Sequence, residues 1–147
     1  MIHRRATLED VVSFDNGAMQ DAGWRDMILN DPHAEEYLAR YARTLICADS
    51  RVCALGGVMP LRPGVGEFWV AFSSAATIHP VVTLRLLREL VLEAETCGEF
   101  HRLQVVIDVE EDRLQNFLGP RGYLFEGRHL GYYAPGKDYA MYAKAIQ

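Results

Sequence analysis

The sequence predicts an α/β (α+β) domain, with one mixed, mainly antiparallel sheet of roughly six or seven strands flanked by about four helices. Two observations predict it. Strand-like and helix-like apolar periodicities follow one another along the chain, with helices interrupting the strands. The composition is that of a globular protein: 147 residues, 50% apolar, 24% charged, mean hydropathy −0.05. No linker, repeat or low-complexity run divides residues 1–147, so they are read as a single domain.

Taken in order, Ile2 to Ala6 reads as a strand. Thr7 is placed as an N-cap, with Asp10 three residues on returning the capping-box bond. Leu8, Val11 and Val12 give the next helix its apolar stripe, and Met19 to Leu29 carries a weaker helical pattern. Asp31-Pro32 predicts another helix start, followed by Ala34, Tyr37, Leu38, Tyr41 and Ala42 at helical spacing. Thr44 to Ala48 and Arg51 to Met59, around Asp49-Ser50, predict an antiparallel hairpin. Pro60 to Gly66 is read as a loop and Glu67 to Phe72 as a strand.

Pro80 to Cys97 predicts the longest helix, with Leu84, Leu87, Val91 and Ala94 on one face beside Leu90. Gly98 lies just past its last turn. Leu103 to Val109 is apolar on both faces and so reads as a central strand. A short helix over Asp112 to Leu118 follows. Phe125 to Tyr133 and Tyr139 to Ile146 form a closing hairpin around Ala134-Pro135-Gly136-Lys137.

Function classes narrow by charge and hydropathy. Fifteen Lys+Arg against twenty Asp+Glu leave a formal charge of −5, with no basic face for nucleic acid. No apolar run approaches the ~20 residues of a membrane span, and no signal peptide is visible, so a soluble cytoplasmic protein is expected. Cys47, Cys53 and Cys97 sit in apolar segments, which predicts buried reduced thiols rather than a disulfide or a metal site.

Three stretches resemble the GNAT acetyltransferase superfamily, and together they cover nearly the whole chain. Ile2-His3-Arg4-Arg5-Ala6-Thr7-Leu8-Glu9-Asp10 is similar to the family's opening strand and helix. The strand Glu67 to Phe72, with Leu86-Leu87 and Glu93-Ala94-Glu95, resembles the cofactor strand and its helix. Arg121-Gly122-Tyr123, Glu126-Gly127 and Asp138-Tyr139-Ala140-Met141 resemble the closing segment. A narrower resemblance is to GNAT-like proteins of tailed phages, including the small internal virion protein of short-tailed coliphages. It rests on Ala54-Leu55-Gly56-Gly57-Val58, Phe68-Trp69-Val70, Phe117-Leu118 with Gly122, and Tyr132-Tyr133-Ala134-Pro135-Gly136-Lys137-Asp138-Tyr139.

The GNAT resemblance implies acetyl-CoA as cofactor. It places cofactor contacts at Phe72 and Ser73 and at Val81, Val82 and Thr83, where the long helix starts. Family members open that helix with a Gln/Arg-x-x-Gly-x-Gly/Ala loop whose glycines let backbone N–H groups approach the pyrophosphate. Here the first position holds Ile78, the glycine positions hold Val81 and Thr83, and Pro80 removes one donor. His79 stands in for missing donors or simply caps the helix. Glu67 matches the position of a catalytic glutamate, or is a solvated acid at a strand end. Leu118 occupies the position of the family's tyrosine acid and Glu111 that of the asparagine opening the short helix, while Tyr123, Tyr132 and Tyr133 read as ring-packing residues.

The early helices shape the acceptor pocket in that family. Trp24, Tyr37, Tyr41 and Trp69 either line such a pocket or pack the core. Asp10, Asp15, Asp21, Asp26, Asp31, Glu35 and Glu36 either draw a cationic amine or form a solvated face. Two main expectations follow. One is a phage-type protein with a degenerate acetyl-CoA loop, acting as a virion-associated or accessory protein on a virion or host protein, with homodimerisation common in the family. The other is an active acetyl-CoA-dependent N-acetyltransferase using Glu67 or His79 on an amine or peptide. A sensor that binds acyl-CoA without turnover is a third.

Overall fold

The computed structural model describes residues 2–15, 24–47, 49–73 and 80–147. Among the described residues there are seven strands: β1 (Ile2–Arg5), β2 (Ala42–Ile46), β3 (Val52–Arg62), β4 (Val65–Phe72), β5 (Arg102–Asp108), β6 (Leu124–Ala134) and β7 (Lys137–Ala145). They hydrogen-bond in the order β1-β2-β3-β4-β5-β7-β6. Pairing is antiparallel for β1–β2, β2–β3, β5–β7 and β6–β7, and parallel for β4–β5. The described residues also form five α-helices: α1 (Leu8–Val12), α2 (Trp24–Leu29), α3 (Ala34–Tyr41), α4 (Pro80–Thr96) and α5 (Asp112–Leu118). The expected mixed α+β class, with its mostly antiparallel sheet, is the class observed.

The chain groups into two compact units, one of Met1–Val58 with Trp69–Glu93 and one of Met59–Phe68 with Ala94–Gln147. In the first, α1 starts as the capping box requires. Thr7 Oγ1 accepts the Asp10 N–H at 3.3 Å, and Asp10 Oδ2 accepts the Thr7 N–H at 2.9 Å. Alternation along β2 sorts its neighbours by face. Ala42 joins Val11, Phe14, Ile28, Ala34, Leu38 and Leu55 in one apolar cluster, and Thr44 Oγ1 donates to Asp10 at 2.8 Å. On the other face, Leu45 packs with Ala54, Leu86 and Leu90, and Arg43 reaches Glu93 of α4 at 2.7 Å. Arg5 adds a second ion pair to Glu93 at 2.9 Å. Burial acts to raise the Glu93 carboxyl, but the bonds and charges of Arg43 and Arg5 outweigh it and hold it below the usual range.

Several boundaries differ from expectation. Asp31-Pro32 does not open α3. Asp31 Oδ1 instead accepts the His33 N–H at 2.8 Å, forming a turn, and α3 begins two residues later with His33 as an N-cap that makes no side-chain cap bond. The loop expected over Pro60 to Gly66 contracts to a turn at Pro63-Gly64, because Gly64 takes φ +81° and reverses the chain there. A Cβ on Gly64 would lie 2.2 Å from His101 Nδ1, so the close approach also requires glycine. On α4, Leu84 is 41% exposed and Leu86 occupies the buried face in its place, beside Leu87, Leu90, Val91 and Ala94.

The cysteines also depart from expectation. Cys47 and Cys53 are not independent thiols but are disulfide-bonded, with Cα atoms 5.9 Å apart, inside the usual range for a bridge. The tight turn between them, with Cys47 N–H bonded to Arg51 O at 2.8 Å, brings the two strand ends opposite each other. Cys97 is exposed rather than in the core, its thiol donating to Ala94 O at 3.4 Å.

In the second unit, β5 lies between β4 and β7, as its apolar residues on both faces predict. Leu103, Ile107, Phe68, Tyr123, Ala140 and Ala143 are buried here, with the Phe68 and Tyr123 rings edge-on at 6.3 Å.

Candidate functional site

Glu67 and its partners are set by strand register. The parallel β4–β5 pairing places Glu67 opposite Gln104. Gln104 and Arg102 are two apart on β5 and therefore share a face. Gln104 Nε2 donates to Glu67 Oε1 at 2.9 Å, and Arg102 Nε donates to Gln104 Oε1 at 3.1 Å. Arg102 is in turn clamped by Glu126 of β6 through two bonds, at 3.0 and 2.6 Å. That pairing raises the Arg102 guanidinium and lowers the Glu126 carboxyl. Glu67 is half-buried at this point rather than a fully solvated acid.

Tyr123 and Tyr132, which read from the sequence as ring-packing residues, both make ring contacts. Tyr123 is buried and donates to Glu95 Oε1 at 3.0 Å, an oxygen that Lys144 also reaches at 3.2 Å. Burial and the Glu95 charge push the Tyr123 phenol well above its ordinary value. The Tyr132 ring packs edge-on against His129 at 5.1 Å and tilted against Tyr139 at 6.3 Å. Leu118, at the position of the family's tyrosine acid, is buried, and Glu111 precedes α5 without a side-chain cap bond.

In the first unit, Trp69 Nε1 donates to Tyr37 Oη at 2.5 Å, and both pack against the apolar cluster. Burial raises the Tyr37 phenol despite that bond. Tyr37 and Tyr41 rings lie 5.8 Å apart, so Tyr37 belongs to the packing of this cluster. Of the acidic set, Asp10 is buried and paired with Arg4 at 2.6 Å, while Asp15, Asp26, Asp31, Glu35 and Glu36 are exposed. Asp21 lies outside the described residues.

Of the cofactor positions, Phe72 is half-buried against Leu45, Cys53, Leu86 and Leu90. Ser73 is buried, its N–H donating to Cys53 O at 2.9 Å and its Oγ to Val52 O at 2.6 Å. Val81 is 64% exposed in the first turn of α4, which also includes Val82 and Thr83. His79 lies outside the described residues. Among the described residues no cluster of His, Cys, Asp or Glu is arranged to hold a metal.

Sequence reasoning missed Gln104 and Arg102. The available signal was a polar residue inside a central strand, which requires a buried partner. Its identity as Glu67 depends on register, which one sequence does not display.

No protein-family model and no curated protein matches the chain. Solved structures do. A spermidine N-acetyltransferase chimera from Vibrio cholerae superposes with a TM-score of 0.72 at 12% identity, covering 99% of this chain and 96% of that one. The ribosomal-protein-S5-alanine acetyltransferase from Vibrio fischeri gives 0.71 at 12% identity, covering 99% and 92%. An acetyltransferase of the GNAT family from Streptococcus pneumoniae gives 0.66 at 15% identity, covering 99% of each chain. Along nearly its whole length, this chain has the fold of the GNAT acetyltransferases.

Proposed function

We propose that the protein is an acetyl-CoA-dependent N-acetyltransferase acting on an amine, with Glu67 as the general base. The observation that carries this reading is the half-buried Glu67 carboxylate, which accepts a hydrogen bond from Gln104 on the neighbouring strand. A base of this kind takes one proton from an acceptor ammonium and leaves the nitrogen lone pair free. Acetyl-CoA, when bound, supplies the acetyl group as a thioester.

Its phosphates would be held by main-chain donors at the start of α4. The first four N–H groups of a helix have no partner within it, and the helix dipole adds positive potential there. Val81 and Val82 supply two of these groups, while Pro80 supplies none. Ser73 contributes shape, since its N–H and hydroxyl bond to β3.

The test is release of CoA thiol from acetyl-CoA in the presence of spermidine or of a peptide with N-terminal alanine. A spermidine N-acetyltransferase and a ribosomal-protein-S5-alanine acetyltransferase share this fold, which motivates the two probes. Amine-dependent release that Glu67→Gln lowers by about 10²–10⁴-fold is the expected result. Release that this variant leaves unchanged removes Glu67 from the mechanism.

A second reading is a phage-type accessory or virion-associated protein with a degenerate cofactor loop, working through contacts with a virion or host protein. Exposed, β-branched Val81 at a loop position that is glycine in the family favours it, as does buried Leu118 at the tyrosine position. Amine-independent, background-level thiol release would favour this reading over the first.

A further inference from the structure

We infer that Gln104 is the positioning residue for Glu67, and that Arg102 fixes the direction in which its amide points. The inference rests on the reading of Glu67 as the base and adds the device that orients it. A guanidinium has donors and no acceptor. Arg102 Nε at 3.1 Å therefore selects the oxygen end of the Gln104 amide, and the NH2 end must face Glu67. The reverse orientation would set two donors against each other at Arg102 and two acceptors against each other at Glu67.

Each member of this chain is itself held. Gln104 is 8% exposed and lies on β5, paired with β4 on one side and β7 on the other. Arg102 is gripped by both oxygens of Glu126. Rotation of the Glu67 carboxylate is thus restrained at Oε1, which directs the acceptor's proton to Oε2. Arg102 is a positioning residue once removed: it acts on Glu67 only through the amide.

Two measurements test this. The first is the side-chain amide resonance of Gln104 by 15N NMR, in the wild type and in the Glu67→Leu and Arg102→Met variants. One slowly exchanging NH2 pair is expected in the wild type. It should move upfield in Glu67→Leu and broaden in Arg102→Met as the amide samples both orientations. A Gln104 signal indifferent to both substitutions overturns the inference, whether or not transfer is detected.

The second is a double-mutant cycle on acetyl transfer to spermidine or the alanine peptide. Gln104→Leu is expected to lower kcat about tenfold, the effect of one hydrogen bond to the base, with KM for acetyl-CoA unchanged. In the Glu67→Gln background the same change should have no further effect, because the group it positions is gone. An equal loss in both backgrounds makes Gln104 merely structural and overturns the inference. Failure of the underlying reading has a different signature: Glu67→Gln then transfers at the wild-type rate while the Gln104 resonance still reports its contact with residue 67.

Discussion

Glu67 and Asp10 are both carboxylates on the edge of a core, and the number of donors around each assigns them different work. Asp10 is surrounded. Burial alone would raise its carboxyl, but bonds from Arg4, the Thr7 N–H and Thr44 outweigh it and bring it to about 2. An acid saturated in this way stays ionised and structural. Its folded-state value lies below the ordinary 3.8, so the stability it contributes is full above about pH 4 and is lost as pH falls toward 2. Allowing for solvent screening at half-exposed Arg4, the contribution is about 2 kcal/mol. Acid unfolding of Asp10→Asn should therefore begin from a lower plateau and show a shallower decline across that window, measured by urea melts at fixed pH values. Among the described residues Glu67 accepts from one donor, the Gln104 amide, and its substitution should read out in chemistry. Glu67→Gln is expected to reduce transfer by about 10²–10⁴-fold with an unchanged thermal midpoint. Stopped thiol release alongside calorimetric melting checks both halves.

At the scale of elements, the capping box of α1 was legible because its chemistry is local: Thr7 and Asp10 carry both halves within four residues. The closing hairpin was legible for the same reason, with Gly136 at φ +76° in its turn. What sequence did not display were features that depend on a distant partner. The Cys47–Cys53 bridge needs the β2–β3 register. Gly57 needs the approach of α3 and β2, where an added Cβ would meet Tyr41 O at 2.6 Å and Ala42 Cα at 3.0 Å. Both give predictions. Gly57→Ala places a side chain against backbone that cannot turn aside and should cost about 1–3 kcal/mol in denaturant unfolding. Reduction of Cys47–Cys53 opens a short loop and should lower stability by about 2 kcal/mol, read as the shift in melting temperature with and without reductant. An identical melting temperature in the two conditions would contradict the bridge.

Over the whole molecule, the succession of strands and helices was readable because each long element carries its own periodicity. Strand order was not. The parallel β4–β5 pair, and β7 inserted between β5 and β6, arise from contacts far apart in sequence. The candidate site divides along the same line. Glu67 stands out as an acid at the start of a strand, whereas Gln104 and Arg102 acquire meaning only when β5 lies beside β4. No helix among the described residues is long and apolar enough to cross a membrane. Superposition on acetyltransferases at 12–15% identity fixes the fold, and chemistry must be decided at the residues.

Calorimetric titration of the purified protein with acetyl-CoA, without acceptor, decides whether the protein binds the cofactor an acetyltransferase needs. Micromolar affinity is predicted, with the main-chain N–H groups at Val81 and Val82 sufficing despite Pro80. No heat of binding at millimolar acetyl-CoA would contradict an acetyltransferase and leave a fold kept for its contacts.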